Sequence, residues 1–296
     1  GLNPNRIIEK KNSSRSSRTS GTATINVLFY YDDSVQDALA KIDSMVSIAN
    51  TAFSDSGIQI ILNIAETLPV SLADDLLLST ILTEMGEQVE TFSNLGQDQE
   101  AHRADIVHTI VGVPTNDEEE NCGRAYIGIY NGLGFRDSFL GTTRWAPYPG
   151  SDSFYCDNET FAHEIGHNLG SNHNREDARN DDGSLSNGAY SYSYGHRISG
   201  EFLSIMSYYT DPWEGETLSG FFSAPSKTCS GNKPCGVSLG NIDEADNVTG
   251  FNNVRFQVGG FRGDSFFPES VPVFKLTDSC EGDAGVGYSG YSYILN

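Results

Sequence analysis

The apolar residues of this chain change period repeatedly, and each change predicts a new element. Ala23 to Tyr31 is rich in β-branched and aromatic residues and predicts a strand. From Ser34 to Phe53, Val35, Leu39, Ile42, Val46 and Ala49 fall at three- and four-residue steps, which predicts an amphipathic helix closed by Ser56-Gly57. Ile58 to Ile64 predicts a second strand, Asp74 to Phe92 a second helix, and Ala104 to Val113 a buried third strand. Arg124 to Ile129 and Thr142 to Trp145 add further strands, and Thr160 to Leu169 a short helix. Beyond it the chain is rich in Gly, Ser, Asn and Tyr until a last predicted helix near Asp243 to Phe256. Strands alternating with helices predict a mixed α/β (α+β) fold, a mixed sheet carrying helices. No repeat of 20–50 residues is visible.

The two ends differ from this body. Residues 1–21 carry five basic residues and one acidic, a disordered leader whose Lys10-Lys11, Arg15 and Arg18 would suit a processing protease at the end of a propeptide. No signal peptide is visible at Gly1. Residues 263–296 hold five glycines and little periodicity, as expected of a tail or linker. One catalytic domain is expected over residues 22–262, and the 296-residue length allows it.

Composition narrows the function classes. The 18 basic against 40 acidic residues give a net charge of −22, which opposes binding to nucleic acid or anionic lipid. No apolar run is long enough to span a membrane, and a monomer is expected. Calcium is an open alternative for some of the carboxylates, with Asp117-Glu118-Glu119-Glu120 and Asp177, Asp181 and Asp182 as clusters; neither has calcium-loop spacing. Of five cysteines none forms a CxxC pair, so a sulfur-ligated zinc site is disfavoured. Cys229 and Cys235 bracket a turn-rich span that could close a small disulfide loop; Cys122 and Cys156 form the natural second pair, leaving Cys280 odd. The pattern fits an oxidising, extracellular setting.

The chemistry concentrates in His163-Glu164-Ile165-Gly166-His167-Asn168-Leu169-Gly170-Ser171-Asn172-His173. Histidines four apart on a helix share one face, so His163 and His167 can reach one ion. His173, ten residues past His163, would lie about 80° off that face and about 15 Å along the axis if the helix continued. The chain must therefore break and return, and Gly170 is the residue able to take a positive φ. Asp157 or Asn158 is available as N-cap. Three imidazoles leave zinc a fourth position for water, the arrangement of a catalytic site. Glu164 lies about 100° round the helix from His163, free to serve as general base. Of the other histidines, His102, His108 and His196 are read as surface or core residues.

These residues resemble the metzincin metallopeptidases, whose motif is followed by a methionine turn. Ser204-Ile205-Met206-Ser207-Tyr208 matches that turn, and the resemblance implies that Met206 forms an apolar floor under the zinc. It also implies two subdomains flanking a cleft, a secreted zymogen, and hydrolysis of extended polypeptides paired along an edge strand, for which Arg124 to Ile129 is the candidate. Phe161-Ala162 before the motif looks like the reprolysin (adamalysin) group, and Cys122-Gly123-Arg124-Ala125-Tyr126 like its bacterial relatives, including peptidyl-Asp metalloendopeptidases. Reprolysins usually follow the third histidine with Asp, where this chain has Asn174. By resemblance to astacins and serralysins, Tyr208 would stabilise the oxyanion; the alternative is a packed tyrosine. An acidic substrate preference would need a basic group between His173 and Met206, with Arg175, Arg179 and Arg197 as candidates. The competing reading is a zinc-binding adhesion or toxin module, or a pseudoenzyme, without proteolysis. Asn158-Glu159-Thr160 and Asn247-Val248-Thr249 match a glycosylation pattern of little specificity.

Overall fold

The strand Ala23–Asp32 (β1) is apolar on both faces, which requires cover on both sides of whatever sheet it joins. Ile25, Val27 and Phe29 enter one core cluster, while Leu28 and Tyr30 enter a second on the opposite face. The computed structural model describes residues 21–73, 76–112, 121–134, 137–145, 156, 159–210 and 213–261. The leader up to residue 20, the acidic run Asp117–Glu120, Asp157, Asn158, Cys280 and the tail 263–296 lie outside the described residues.

β1 is flanked by parallel neighbours, Ile60–Val70 (β2) on one side and Ile106–Val111 (β3) on the other. Gly123–Ala125 (β4), Ile129–Tyr130 (β5), Leu133–Gly134 (β6) and Leu140–Arg144 (β7) follow. The main sheet has the order β2-β1-β3-β7-β4, parallel except for β4, which runs antiparallel to β7 at the edge. The helix Ala38–Ser56 (α1) covers one face through Ile42, Met45, Ala49 and Phe53. Leu78–Glu87 (α2) and Leu95–Ala101 (α3) cover the other through Leu78, Ile81, Met85 and Leu95.

Several boundaries differ from the sequence expectation for local reasons. α1 begins at Ala38 because Asp32 and Ser34 close a turn and Asp37 sits at φ 54. β2 runs on past Ile64 to Val70, past a register shift opposite Val27/Leu28, and its Pro69 is tolerated because β2 is an edge strand. The long second helix divides: Gln88 and Glu90 adopt positive φ, so Phe92 and Leu95 can join Met85 in the same cluster. Of the strand expected over Arg124 to Ile129, only Arg124 and Ala125 stay in the main sheet, in β4. Ile129 pairs instead with Gly134, across the Asn131-Gly132 hairpin turn in which both residues have positive φ.

The motif helix Thr160–Asn168 (α4) lies on the α1 face, with Phe161, Ala162 and Ile165 in the larger core. Its end falls where the ligand spacing demands. Gly170 has φ 90, Gly170 N–H donates to His167 O at 2.8 Å and Ser171 N–H to Gly166 O at 2.9 Å. After it the chain is mostly irregular, with a small sheet of Arg197–Ile198 (β8), Phe202–Leu203 (β9) and Thr217–Leu218 (β10). Asn247–Val258 (α5) closes the fold; Asp246 caps it by accepting from Thr249 N–H at 2.9 Å. Phe222 stacks on Phe53 of α1 at 5.3 Å and meets Phe251 of α5 edge-on at 5.2 Å, joining the irregular part to the layered part. Disulfides Cys122–Cys156 and Cys229–Cys235 form as expected, with Cα separations of 5.1 and 5.0 Å.

Two positions can be tested directly. A methyl at Gly170 would meet Ala189 Cβ at 2.7 Å and Ile129 O at 2.8 Å, at a φ that L residues resist. Gly170→Ala is therefore expected to lower stability by at least about 1–3 kcal/mol in urea titration. The second is Glu216, 2% exposed, which accepts from Thr210 Oγ1 at 2.6 Å and Gly200 N–H at 3.1 Å. Burial acts to raise its pKa, but these bonds and that from Glu214 N–H outweigh it and hold the carboxyl at about 2, against an ordinary 4.5. A depressed folded-state pKa stabilises above the unfolded value and loses that effect as pH falls through the folded one. Glu216→Gln should thus lower the Tm most above pH 4.5, and the gap to wild type should close as pH falls toward about 2.

Candidate metal centre and active site

One helical turn separates His163 from His167, and the Gly170 turn returns His173 to the same point. Their donor nitrogens all lie within 4.8 Å of one another. His167 Nε2 and His173 Nε2 are 3.1 Å apart, close to the separation of about 3.3 Å for two nitrogens bound tetrahedrally to one zinc. Two of the rings are oriented by backbone. His163 Nδ1–H donates to Ile205 O at 2.6 Å and His167 Nδ1–H to Ser171 O at 2.8 Å, which leaves each Nε2 for a metal. Burial, reinforced by the neighbouring His163, holds His167 down at about 3. Burial and the other two rings lower His173 well below its ordinary value. Neutral imidazole is the form that ligates, so the residues present fit zinc.

The third ligand depends on pairing between two loop segments. Asn172 N–H donates to Ser193 O at 2.9 Å, Gly195 N–H donates to His173 O at 3.2 Å, and Asn172 Oδ1 accepts from His173 N–H at 2.8 Å. Beneath the helix, Gly166 abuts the Met206 sulfur so closely that a Cβ could not be accommodated. Met206 is fully buried in the core with Phe161, Ile165 and Phe222, so the expected apolar floor is present.

Glu164 is 4% exposed, and its Oε2 has no hydrogen-bond partner among the described residues. Its carboxylate lies against Gly123 of β4, where a Cβ would overlap it. Burial pushes the carboxyl up to about 8, with the charge of Arg124 acting the other way. A buried carboxylate oxygen with no partner is costly, and such groups concentrate at functional sites.

Tyr208 packs on the ligand rings, 4.2 Å from His173 and stacked at 5.8 Å on His163. Its backbone is held from two sides: Tyr208 N–H donates to Asn174 Oδ1 at 3.1 Å, and Arg197 Nη1 donates to Tyr208 O at 2.7 Å. Asn174 also donates to Glu176 Oε2 at 2.8 Å, which an ionised aspartate at this position could not do. Arg197 further reaches Asp177 at 3.1 Å and Tyr209 O at 3.2 Å. Arg175 donates to Glu244 O and Ser191 O and lies over the Tyr194 ring, and Arg179 donates to Gly183 O. All three candidate arginines are thus engaged with backbone carbonyls.

The remaining candidates separate from the site. His108 is fully buried in β3, donates to or accepts from Thr143 Oγ1 at 2.7 Å, and meets Phe161 edge-on; burial holds it neutral, with a pKa of about 3. His102 faces Glu66 at 3.7 Å, and His196 packs on Phe202. Asp182 caps Ser184 in its own loop. Sequence reasoning missed Gly123 and Asn168. Asn168 donates to Tyr126 O and Leu140 O, both at 3.0 Å. A glycine beside a cysteine, directly before the predicted edge strand Arg124 to Ile129, was the one available signal for Gly123.

Comparison with known proteins agrees with this geometry. Residues 19–238 match the model of metallo-peptidase family M12B, reprolysin-like. The peptidyl-Asp metalloendopeptidase of Pseudomonas aeruginosa is 30% identical over an alignment covering 80% of this chain and 38% of the relative. The chain therefore spans well under half of that relative's length. A chain in the structure of a chaperone–substrate complex shares the fold at a TM-score of 0.57 and 20% identity, over 80% of this chain and 38% of the other. Metalloproteinase-II from Bacteroides fragilis overlaps 52% of this chain and 45% of its own, at 19% identity and a TM-score of 0.35. With the three histidines, the glycine turn and the methionine floor in place, the chain belongs to the reprolysin-like metallopeptidases of family M12B.

Proposed function

We propose that this chain carries the site of a secreted zinc endopeptidase that hydrolyses extended polypeptides. The observation that carries the reading is the buried Glu164, with one unpartnered carboxylate oxygen, on the same helix as two of three converging histidines. His163, His167 and His173 hold the metal. Zinc bound there supplies an acidified water and polarises the scissile carbonyl. Glu164 takes the proton from the attacking water and delivers it to the leaving amine. Tyr208, partly exposed over the ligand rings, donates a hydrogen bond to the oxyanion that forms on the substrate carbonyl.

The substrate lies extended along β4, the antiparallel edge of the sheet, whose Gly123 touches Glu164. Two disulfides support an extracellular setting, and the basic leader supports synthesis as a zymogen. Among the described residues no helix is long and apolar enough to cross a membrane.

Two substitutions test these roles. Glu164→Ala should retain one zinc per chain by metal analysis while casein hydrolysis falls below detection; proteolysis at the wild-type rate would remove Glu164 from the mechanism. A zinc-loaded wild type that cleaves neither casein nor a peptide library would favour a zinc-binding module instead. Tyr208→Phe should lower kcat by about ten- to a thousandfold at unchanged zinc content. An unaltered kcat would leave Tyr208 as a packing residue.

A further inference from the structure

We propose that Asn168 is a positioning residue that clamps the substrate-binding edge of the sheet to the zinc helix. This rests on the peptidase reading above. Asn168 follows the ligand His167 directly and is fully buried. Its Nδ2 donates to Tyr126 O and Leu140 O, with Ser138 O at 3.4 Å. Tyr126 directly continues β4 and Leu140 opens β7, so a single amide group holds both antiparallel partners where their pairing ends. The two segments also bond each other there, Tyr126 N–H donating to Leu140 O at 3.1 Å.

The backbone of the same helical turn repeats the contact. Gly128 N–H donates to His167 O at 3.0 Å, and Gly128 lies so close to Asn168 O that a Cβ would overlap it. On the opposite side, the Tyr126 hydroxyl donates to Leu82 O of α2 at 3.2 Å. At the other end of β4, Cys122 is bonded to Cys156, shortly before α4 begins. β4 is therefore fastened at both ends to the chain of the helix that carries His163, Glu164 and His167, with Gly123 against Glu164 between the fastenings.

Satisfying Asn168 itself does not explain this placement. Its Oδ1 has no partner among the described residues, so the side chain bears the cost of a buried acceptor while its donors bridge to the strand. An apolar residue would fill the space but leave Tyr126 O without this donor. Losing the bridge frees residues 126–128 to move off the helix, and the peptide-pairing edge moves with them relative to Glu164. The hydrogen bond of His167 to Ser171 O does not pass through Asn168, so the metal site is spared.

The test compares zinc-loaded wild type with Asn168→Ala by amide hydrogen exchange, zinc analysis and steady-state kinetics on an extended peptide. Asn168→Ser, too short to span the gap, replaces the alanine variant if that does not fold. Exchange over residues 123–128 should quicken at least about tenfold while β1 and β3 keep wild-type rates. Zinc content and inhibition by acetohydroxamate should stay unchanged, and KM for the extended peptide should rise about tenfold with kcat altered far less. Wild-type exchange over 123–128, or quickening spread equally over β1 and β3, would overturn the proposal. So would a KM that does not move. If wild type cleaves no peptide the peptidase reading fails, and the exchange pattern still decides whether the clamp exists.

Discussion

A straight helix can offer two imidazoles to one ion but not a third ten residues on, and most of the site follows from that constraint. The chain must stop α4 within a turn of His167 and come back. Gly170 provides the reversal at φ 90, packed against Ala189 and Ile129 with no room for a side chain. The return then needs something to pair with, and residues 193–195 provide it. The carbonyls that orient His163 and His167 come from Ile205 and Ser171, one beside the methionine floor and one in the returning segment. Two of the three rings are thus oriented by backbone that is itself fixed by the core or by the loop pairing. That is how irregular chain achieves the precision usually left to helices and strands.

The motif helix meets its neighbours through small residues. Gly166 lets α4 settle on Met206, Gly123 lets β4 reach Glu164, and Gly128 lets the chain pass Asn168. At each, a side chain would hold two elements apart by the width of a methyl group. The substitution of Asn174 for the usual Asp follows the same local logic: its amide bridges Tyr208 and Glu176, a pair of contacts that needs both an acceptor and a donor.

Much of this was legible in the sequence because it rests on short-range periodicity. β1, α1, β3 and α4 fell close to their expected positions, and the histidine spacing alone required the Gly170 turn. What was not legible depended on tertiary partners. The break after α2 comes from Phe92 and Leu95 having to share a cluster with Met85, which the helical period of that stretch conceals. The early end of β4 comes from Asn168 and Gly128 drawing the chain toward α4, and no local pattern in residues 124–129 encodes that pull. The Asn131-Gly132 hairpin was readable in principle, since that dipeptide is among the strongest short-range turn signals. The bond between Asn174 and Tyr208 could not be read, because that partner lies 34 residues along the chain.

The brevity of β4 has a consequence for the molecule in concentrated solution. An open sheet edge is open to other copies of the same chain, and long flat edges seed aggregation. Here only Gly123–Ala125 stay in register before the chain turns away, and the middle residue is the charged Arg124. A stretch that short gives a stray strand too few backbone bonds to stay. The turn that ends β4 at Tyr126 therefore leaves the two edges of the sheet unequal: three residues at β4 against the eleven of β2.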